Sequence, residues 1–385
     1  MKVILACCGT SHYYGFPKYF YLLAKYLAKQ GIEVELVIDS EKGREKVKEV
    51  CGNVNTTIIR PSTGVGVNFL RRSLYSINVA RYLRDKNFDI LHTGGTIPFA
   101  YLHAKNRAPT VFQAFGNESF THLNVLQMSS PMQMFYRLLA QPTWKYCGSH
   151  ADVIAAEGEF QIEEMMEVYA VSRDKIFILP VGIDSAFIKQ ALDIRTVSRE
   201  ELGLTASDFT LLSVNTLDVV KGINYLIDAF YLVRQKLANA RLIIIGAGPE
   251  ETNIYNQIKA YQLADSIIHL KNVPEATLYD YYALSDLFVS PTLQKDFIMG
   301  ILEAEVCGLP IVSTGQDWLI REGENGYVVP QKDPAAMADA ILKIYKGNRK
   351  TMGIASQKIA REYDFEAITK LAIKQYQKML SQRNI

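Results

Sequence analysis

The chain has 385 residues, of which 49% are hydrophobic and 21% charged, and a formal net charge of +2. This length exceeds one ordinary α/β domain and suits two, and the composition is that of a globular protein able to bury full cores. The balanced charge provides no sequence-wide basic field for nucleic acid. The five cysteines are scattered without metal-ligand or disulfide spacing, so we expect a reducing compartment and no metal site.

The N-terminus leads directly into an apolar run at residues 2–6 that is typical of a buried strand. It has no basic head, long apolar segment and small-residue cleavage site, so it does not resemble a signal peptide. No uncharged apolar stretch approaches the roughly 18 residues that cross a bilayer. The sequence therefore predicts a cytoplasmic protein that is at most peripheral to the inner face of a membrane.

Short apolar runs alternate with amphipathic helical stretches through the first half of the chain. The strands predicted there are residues 3–6, 34–38, 88–91, 110–114, 153–156 and 176–179. Between the first two, residues 17–30 place Phe20, Leu23 and Leu27 on one helical face, and Gly31 follows as a C-cap. Strands that alternate with helices indicate a parallel sheet with right-handed crossovers.

The alternation restarts once, after a polar stretch at residues 189–207. The strands predicted beyond it are residues 210–214, 241–245, 267–270, 287–290 and 310–313. We therefore predict an N-terminal domain at residues 1–187, a second domain at 188–364, and a last helix within 365–385 that packs back towards the first domain. The fold class is α/β, with two doubly wound parallel sheets and a ligand-binding cleft between their C-terminal strand edges.

Six segments resemble, in their order and spacing, the retaining glycosyltransferases of family 4. They are residues 180–184, 199–204, 217–230, 242–249, 290–314 and 323–330. The resemblance is specific across residues 176–346 and looser before them. It implies the GT-B architecture of two Rossmann-like domains, with an acceptor on the first domain and a nucleotide sugar on the second. It further implies transfer of a hexose-type sugar from a UDP- or GDP-linked donor to a hydroxyl group, with retained configuration and no essential metal or other cofactor.

The donor diphosphate needs positive charge, and two features of the sequence can supply it. Lys221 follows a predicted strand and turn, where its ammonium group can act as a point charge on the phosphates. A helix that opens at about Gly300 offers free backbone N–H groups and the positive end of its dipole. Glu303, in its first turn, resembles the family glutamate that accepts hydrogen bonds from the ribose. The resemblance implies further donor contacts from Phe297, Ile298, Met299, Gly300 and Ile301.

Two positions depart from the family pattern. The family has a glutamate eight positions before the residue that matches Glu303, and this chain has Lys295 there, with Asp296 beside it. The family also has an arginine five positions before the turn lysine, and this chain has Thr216. A lysine cannot accept hydrogen bonds from sugar hydroxyls. Either the site is rearranged, with Asp296 catalytic on the sugar and Lys295 on phosphate, or the chain is a catalytically degenerate subunit that binds a nucleotide sugar or a partner enzyme.

Several first-domain residues are candidates for the acceptor side. Gly15, in the loop after the first strand, resembles the family glycine that lies close to the donor phosphates. The family histidine after the strand at residues 110–114 is replaced by Phe115, and Asn117 follows nearby. His92 is a further candidate, although a lone histidine at a strand end is more often structural. No general base is identified; in this family the donor phosphate is thought to deprotonate the acceptor.

Residues 69–84 form a basic amphipathic helix that either contacts an anionic membrane or packs conventionally with a solvated basic face. Residues 120–146, rich in Met, Phe, Tyr and Leu, are either an apolar acceptor lid or additional core. The acceptor is a glycan, a lipid-linked compound or a small molecule. An epimerase on the same fold is a weaker alternative, since its usual acid residues are not evident.

Overall fold

The computed structural model describes residues 1–9, 16–60, 68–115, 134, 138, 141–293, 299–315 and 318–383. The chain divides into two compact units: the first unit, residues 1–182 with 365–385, and the second unit, residues 183–364. Residue 187, where we placed the end of the first domain, lies inside the helix Ser185–Asp193.

The first unit is built on a parallel sheet. Its strands are β1 (Lys2–Ala6), β2 (Glu33–Ile38), β3 (Asn55–Ile58), β4 (Ile90–Gly94), β5 (Thr110–Gln113), β6 (Val153–Ala156) and β7 (Ile176–Ile178). Its described α-helices are α1 (Phe16–Lys29), α2 (Glu41–Cys51), α3 (Asn68–Leu83), α4 (Gln141–His150), α5 (Ile162–Tyr169) and, from the end of the chain, α13 (Phe365–Arg383). The strand order is β3-β2-β1-β4-β5-β6-β7.

The second unit repeats this plan. Its strands are β8 (Phe209–Val214), β9 (Ala240–Ile245), β10 (Ile267–Leu270), β11 (Leu287–Ser290), β12 (Ile311–Ser313) and β13 (Gly326–Val328). Its described α-helices are α6 (Ser185–Asp193), α7 (Ile223–Lys236), α8 (Glu251–Ala260), α9 (Glu275–Ala283), α10 (Met299–Val306), α11 (Pro334–Lys346) and α12 (Arg349–Glu362). The strand order is β10-β9-β8-β11-β12-β13.

Alternate residues of the second sheet enter two separate cores. Leu211 and Val289 pack on one face with helices α7 and α11, whereas Leu212 and Phe288 pack on the other with α9 and α10. Because both faces are covered, these strands are almost continuously apolar in sequence, as parallel strands usually are. The predicted α/β class with two doubly wound parallel sheets is confirmed.

The strands predicted from apolar runs are all present, with bounds shifted by at most three residues. Two strands, β3 and β13, were not predicted. Both lie at the edge of a sheet, and most of their residues are only partly buried. An edge strand covers less core and can carry polar residues, so neither segment stands out as an apolar run.

Helices α13 and α3 of the first unit correspond to the helices predicted within residues 365–385 and 69–84. Helix α13 buries Phe365 and Tyr376, and its Phe365 ring stacks on Tyr26 at 5.8 Å between centroids. Helix α3 buries Tyr75 and Val79 in the core. Over residues 74–83 the helix predicted at 69–84 therefore packs conventionally, and its apolar face is not available to a membrane.

Candidate active site

The topological switch point of the second sheet lies between β8 and β11. Strand β8 is flanked by β9 and β11, so the connections after β8 and β11 leave the sheet in opposite directions. In open α/β sheets, ligands bind outside the carboxyl ends of the strands at this position. The turn that carries Lys221 follows β8, and the segment from Pro291 follows β11.

Lys221 ends a short 3-10 helix, Val219–Lys221, directly before α7. The backbone N–H of Leu293 donates to the carbonyl of Val220 at 2.8 Å, which joins the two connections. Gly222 has φ +64°, and a Cβ placed there would lie 2.2 Å from the Pro291 carbonyl oxygen. The half-buried Lys221 side chain makes no ion pair with any residue the structure describes. The backbone of the turn that carries Lys221 is thus joined to residues 291–293.

The glycine-proline turn at residues 246–250 supports this arrangement. A Cβ on Gly246, where φ is +142°, would lie 1.8 Å from the Asn215 carbonyl oxygen. The N–H of Leu217 donates to Ala247 at 3.0 Å, and the N–H of Glu250 donates to Leu217 at 2.9 Å. The turn therefore braces the segment that presents the exposed Thr216, and its role is structural, as the missing third glycine indicates.

Helix α10 begins at the same sheet edge. A Cβ on Gly300 would lie 3.0 Å from the Phe288 ring and 3.6 Å from the Val214 carbonyl oxygen, so the absence of a side chain permits close approach to the end of β8. Ile301 is fully buried in the core and can offer a ligand only its backbone N–H. The first four N–H groups of a helix lack intrahelical partners and can bind an anion.

Glu303 lies in this helix and is 7% exposed. Its Oε2 accepts a hydrogen bond from the Tyr282 hydroxyl at 2.8 Å. Burial and the adjacent carboxylate raise the pKa of Tyr282 well above its usual value, so the phenol stays a donor. Tyr282 is not predictable from the sequence, because it is one of three tyrosines in α9 and no motif distinguishes it.

A second buried carboxyl group lies two residues further along α10. Glu305 is fully buried, and its Oε1 accepts from Asn325 Nδ2 at 3.0 Å. Its Oε2 has no hydrogen-bond partner among the described residues. Burial raises the pKa of Glu305 well above its usual range, outweighing the opposing effect of Arg321. Asn325 also receives the Arg321 N–H at 2.7 Å, which connects α10 to the turn before β13.

The remaining donor-side predictions fall on residues that the structure does not describe. Lys295, Asp296, Phe297 and Ile298 lie outside the described residues, and so does Gly15. Met299, which begins α10, is described and half-buried. The roles predicted for Lys295 and Asp296 therefore stay predictions.

The acceptor-side candidates of the first unit differ in exposure. His92 is fully buried between Gln113 and Tyr376: Nδ1 lies 2.6 Å from the Tyr376 hydroxyl and Nε2 lies 3.3 Å from Gln113 Oε1. Burial lowers its pKa to about 3, so the ring is neutral. Phe115 packs edge-on against Tyr19 at 5.3 Å, and Asn117 lies outside the described residues. His92 is thus hydrogen-bonded inside the first unit, and its acceptor-side role stays a prediction.

No group of three or more His, Cys, Asp or Glu residues in the described part of the chain is arranged to hold a metal ion. None of the described helices combines the length and the apolar character needed to cross a bilayer.

Comparison with known proteins gives two family matches. Residues 194–360 match the model "Glycosyl transferases group 1", and residues 14–187 match "Glycosyltransferase Family 4". D-inositol 3-phosphate glycosyltransferase of Pseudarthrobacter chlorophenolicus is 24% identical over 392 residues, covering 96% of this chain and 91% of that protein. The enzyme of the same name from Corynebacterium glutamicum is 24% identical, covering 98% of this chain and 94% of that protein, whereas three further matches of this name cover 54–58% of their length.

Two solved structures share the fold. Sucrose-phosphate synthase from Thermosynechococcus elongatus has a TM-score of 0.77 at 17% identity, covering 99% of both chains. HepE of Anabaena in complex with UDP also has a TM-score of 0.77, at 16% identity, covering 98% of this chain and 100% of that one. With both halves of the chain matched and the two-sheet fold shared, the chain belongs to glycosyltransferase family 4 and is a glycosyltransferase of the GT-B type.

Proposed function

We propose that this enzyme transfers a hexose-type sugar from a nucleotide-diphosphate sugar to a hydroxyl acceptor, with retention of configuration. One observation carries the proposal: the Lys221 turn, the start of the 291–298 loop and the N-terminus of α10 converge at the β8/β11 switch point. Two of these three features can stabilise negative charge, which is what departure of a nucleoside diphosphate requires.

Different residues would contact the departing diphosphate and the nucleoside. Lys221 would neutralise the departing diphosphate as a point charge, and the N–H groups of Met299 and Gly300 would donate to its oxygens. Glu303 would accept hydrogen bonds from the ribose hydroxyls. Its Oε2 is held by Tyr282 at 2.8 Å, which fixes the carboxylate without occupying its other oxygen.

The sugar itself would be held by a rearranged loop. We propose that Asp296 accepts from the sugar hydroxyls and that Lys295 supplies the positive charge that Thr216 does not. In this arrangement Asp296→Ala and Lys295→Ala each lower turnover strongly. Unchanged rates in both variants would remove the loop from the proposed donor contacts.

The donor is proposed to be UDP- or GDP-linked, with UDP first, because HepE of Anabaena was solved with UDP and with UDP-glucose. We propose that the reaction needs no metal ion, and that the acceptor is a glycan, a lipid-linked compound or a small molecule. The relative named D-inositol 3-phosphate glycosyltransferase makes a phosphorylated polyol one acceptor to include in a panel. We propose a cytoplasmic location for the reaction.

Titration calorimetry with UDP, GDP and their sugars tests the donor site. Tight binding of one nucleotide, weakened about 100-fold by Lys221→Ala, is expected from the loss of a charge-assisted contact. Lys259→Ala, an exposed lysine on α8, is the control that should bind normally. Product analysis by NMR with a donor panel, with and without a chelator, then tests sugar, stereochemistry and metal use. Absence of nucleotide binding would contradict the proposal.

A non-catalytic subunit is the second candidate, and Lys295 and Thr216 favour it, since both replace charged family residues. It predicts nucleotide-sugar binding with neither transfer nor hydrolysis. Turnover with any donor and acceptor pair excludes this candidate.

A further inference from the structure

A groove of about 980 Å³ opens on the first unit at the edge of the sheet where β4 and β5 begin. Phe88 and Asp89, which precede β4, and Ala108 and Pro109, which precede β5, form part of its wall. Substrates of open α/β sheets bind at the opposite edge, where the strands end. The groove is therefore separate from the acceptor region expected for this unit.

The walls of the groove combine an apolar floor with a cationic rim. Phe88 and Leu380 contribute apolar surface above the buried Leu83, and Arg84, Lys86 and Arg383 contribute positive charge. The acidic side chain in the lining is Asp89, and its Oδ2 already accepts the backbone N–H of Lys2 at 2.7 Å. A volume near 1,000 Å³ is at the upper end of the range found for small-molecule sites.

The cations of the rim are not equally available. Arg107 is engaged by an ion pair with Asp152 and by the His150 carbonyl. Lys86 lies over the Tyr82 ring at 4.6 Å, and Arg383 donates one N–H to the Arg107 carbonyl. Arg84 is exposed and makes no side-chain hydrogen bond or ion pair with a described residue. Three cations thus retain donors that a ligand can use.

The charge of the first unit as a whole has the same sign as the rim. The first unit carries 24 Lys and Arg against 17 Asp and Glu, a net charge of +7, whereas the second carries 18 against 23, a net charge of −5. An anionic surface would attract the first unit selectively.

We propose that this groove binds the headgroup of an anionic phospholipid, with Arg84, Lys86 and Arg383 on the phosphate and the start of an acyl chain on the apolar floor. Binding docks the first unit on an anionic membrane by electrostatics and a captured headgroup. The buried apolar face of α3 takes no part. The proposal is independent of the glycosyl transfer reaction, since the groove shares no residue with the donor site.

Co-sedimentation of the full-length protein with phosphatidylcholine vesicles, with and without phosphatidylglycerol, tests the proposal. We expect binding only to the anionic vesicles, and weaker binding as salt rises. Each interfacial cation contributes about fivefold in partitioning, so Arg84→Gln combined with Arg383→Gln should lower it about 30-fold. Lys42→Gln combined with Lys48→Gln removes the same charge from exposed sites on α2 and should lower it far less.

Two further experiments distinguish binding in the groove from binding to a diffuse positive surface. Ala104→Trp fills the groove from its exposed wall without changing charge, and it should weaken vesicle binding severalfold while thermal unfolding is unchanged. Titration with glycerol phosphate tests a soluble ligand. The proposal would be overturned by equal losses of vesicle binding in the two double variants or by an unchanged affinity in Ala104→Trp. It would also be overturned if the protein did not bind anionic vesicles, or if glycerol phosphate saturated it without vesicle binding.

Discussion

The Tyr282 hydroxyl donates to Glu303 Oε2 at 2.8 Å, joining the helix before β11 to the helix after it. The tyrosine is fully buried, and its ring stacks on Phe288 of β11 at 5.6 Å between centroids. The hydrogen bond therefore sets the orientation of the one described carboxylate expected to contact the donor nucleoside.

Removing this hydroxyl should weaken donor binding more than it weakens the fold. In Tyr282→Phe, we expect nucleotide affinity to fall about fivefold to tenfold, because the Glu303 carboxylate loses its orienting donor. The free energy of unfolding should fall by about 1–2 kcal/mol. Calorimetry with the nucleotide, together with thermal unfolding, separates the two effects.

Tyr231→Phe is the matched control for that experiment. Tyr231 is a half-buried residue of α7 whose hydroxyl makes no hydrogen bond with a described residue. Tyr231→Phe should leave the nucleotide affinity and the free energy of unfolding unchanged. Equal nucleotide affinity in Tyr282→Phe and the wild type would mean that the tyrosine only fills space.

Gly222 and Gly323 provide a second matched comparison, this time of the backbone. Both have positive φ, +64° and +77°, but a Cβ on Gly222 would meet the Pro291 carbonyl, whereas one on Gly323 meets nothing within 4 Å. Gly323→Ala should cost about 1 kcal/mol of stability from backbone conformation alone. Gly222→Ala should cost about 3 kcal/mol and also weaken nucleotide binding, since the 291–293 segment must move.

Thermal unfolding and nucleotide titration of both variants test this comparison. Similar losses of stability with normal nucleotide binding in both would show that the contact between Gly222 and Pro291 does not position the site.

The fold was predictable because fully covered parallel strands carry apolar runs. The runs in β1 and β9 stand out from the helices beside them, whereas the edge strands β3 and β13 carry none. The site was predictable only in part. Lys221 and Glu303 were found through sequence context, but Tyr282 and the carboxyl group of Glu305 act through contacts between elements distant in sequence.

His92 makes the stability of the first unit depend on acidity. Its folded pKa of about 3 lies below the ordinary value of 6.5, so between these values the unfolded chain binds more protons. The stability it contributes is fully present above pH 6.5 and is lost as pH falls towards 3, by up to about 1.4 kcal/mol per pH unit. His92→Gln should flatten the decrease of the unfolding midpoint in this window.

Tyr376→Phe serves as the comparison. It removes the hydroxyl that lies beside His92 Nδ1 but keeps the buried His92 imidazole, which is the group that titrates. It should lower stability at every pH and retain the slope. An identical slope in His92→Gln and the wild type would exclude His92 as the source.

Glu305 makes stability depend on pH in the opposite direction to His92. Its folded pKa lies well above the ordinary value of 4.5, so above pH 4.5 the unfolded chain releases a proton that the folded chain keeps. The stability it contributes is fully present below pH 4.5 and is lost as pH rises towards the folded pKa. Glu305→Gln retains an oxygen for Asn325 and cannot ionise, so its gain over the wild type should grow with pH, by up to about 1.4 kcal/mol per unit.

Three variants test this in urea titrations from pH 4 to 9. Glu305→Gln should be stabilised increasingly with pH and bind nucleotide normally, because α10 keeps its packing. Glu305→Ala should lose about 2–4 kcal/mol, since it leaves a cavity and removes one of the two acceptors of Asn325 Nδ2 beside the helix that carries Glu303. Glu324→Gln, at an exposed site next to Asn325, should change little. Parallel pH curves for Glu305→Gln and the wild type would mean that folding does not raise the pKa of the buried Glu305 carboxyl.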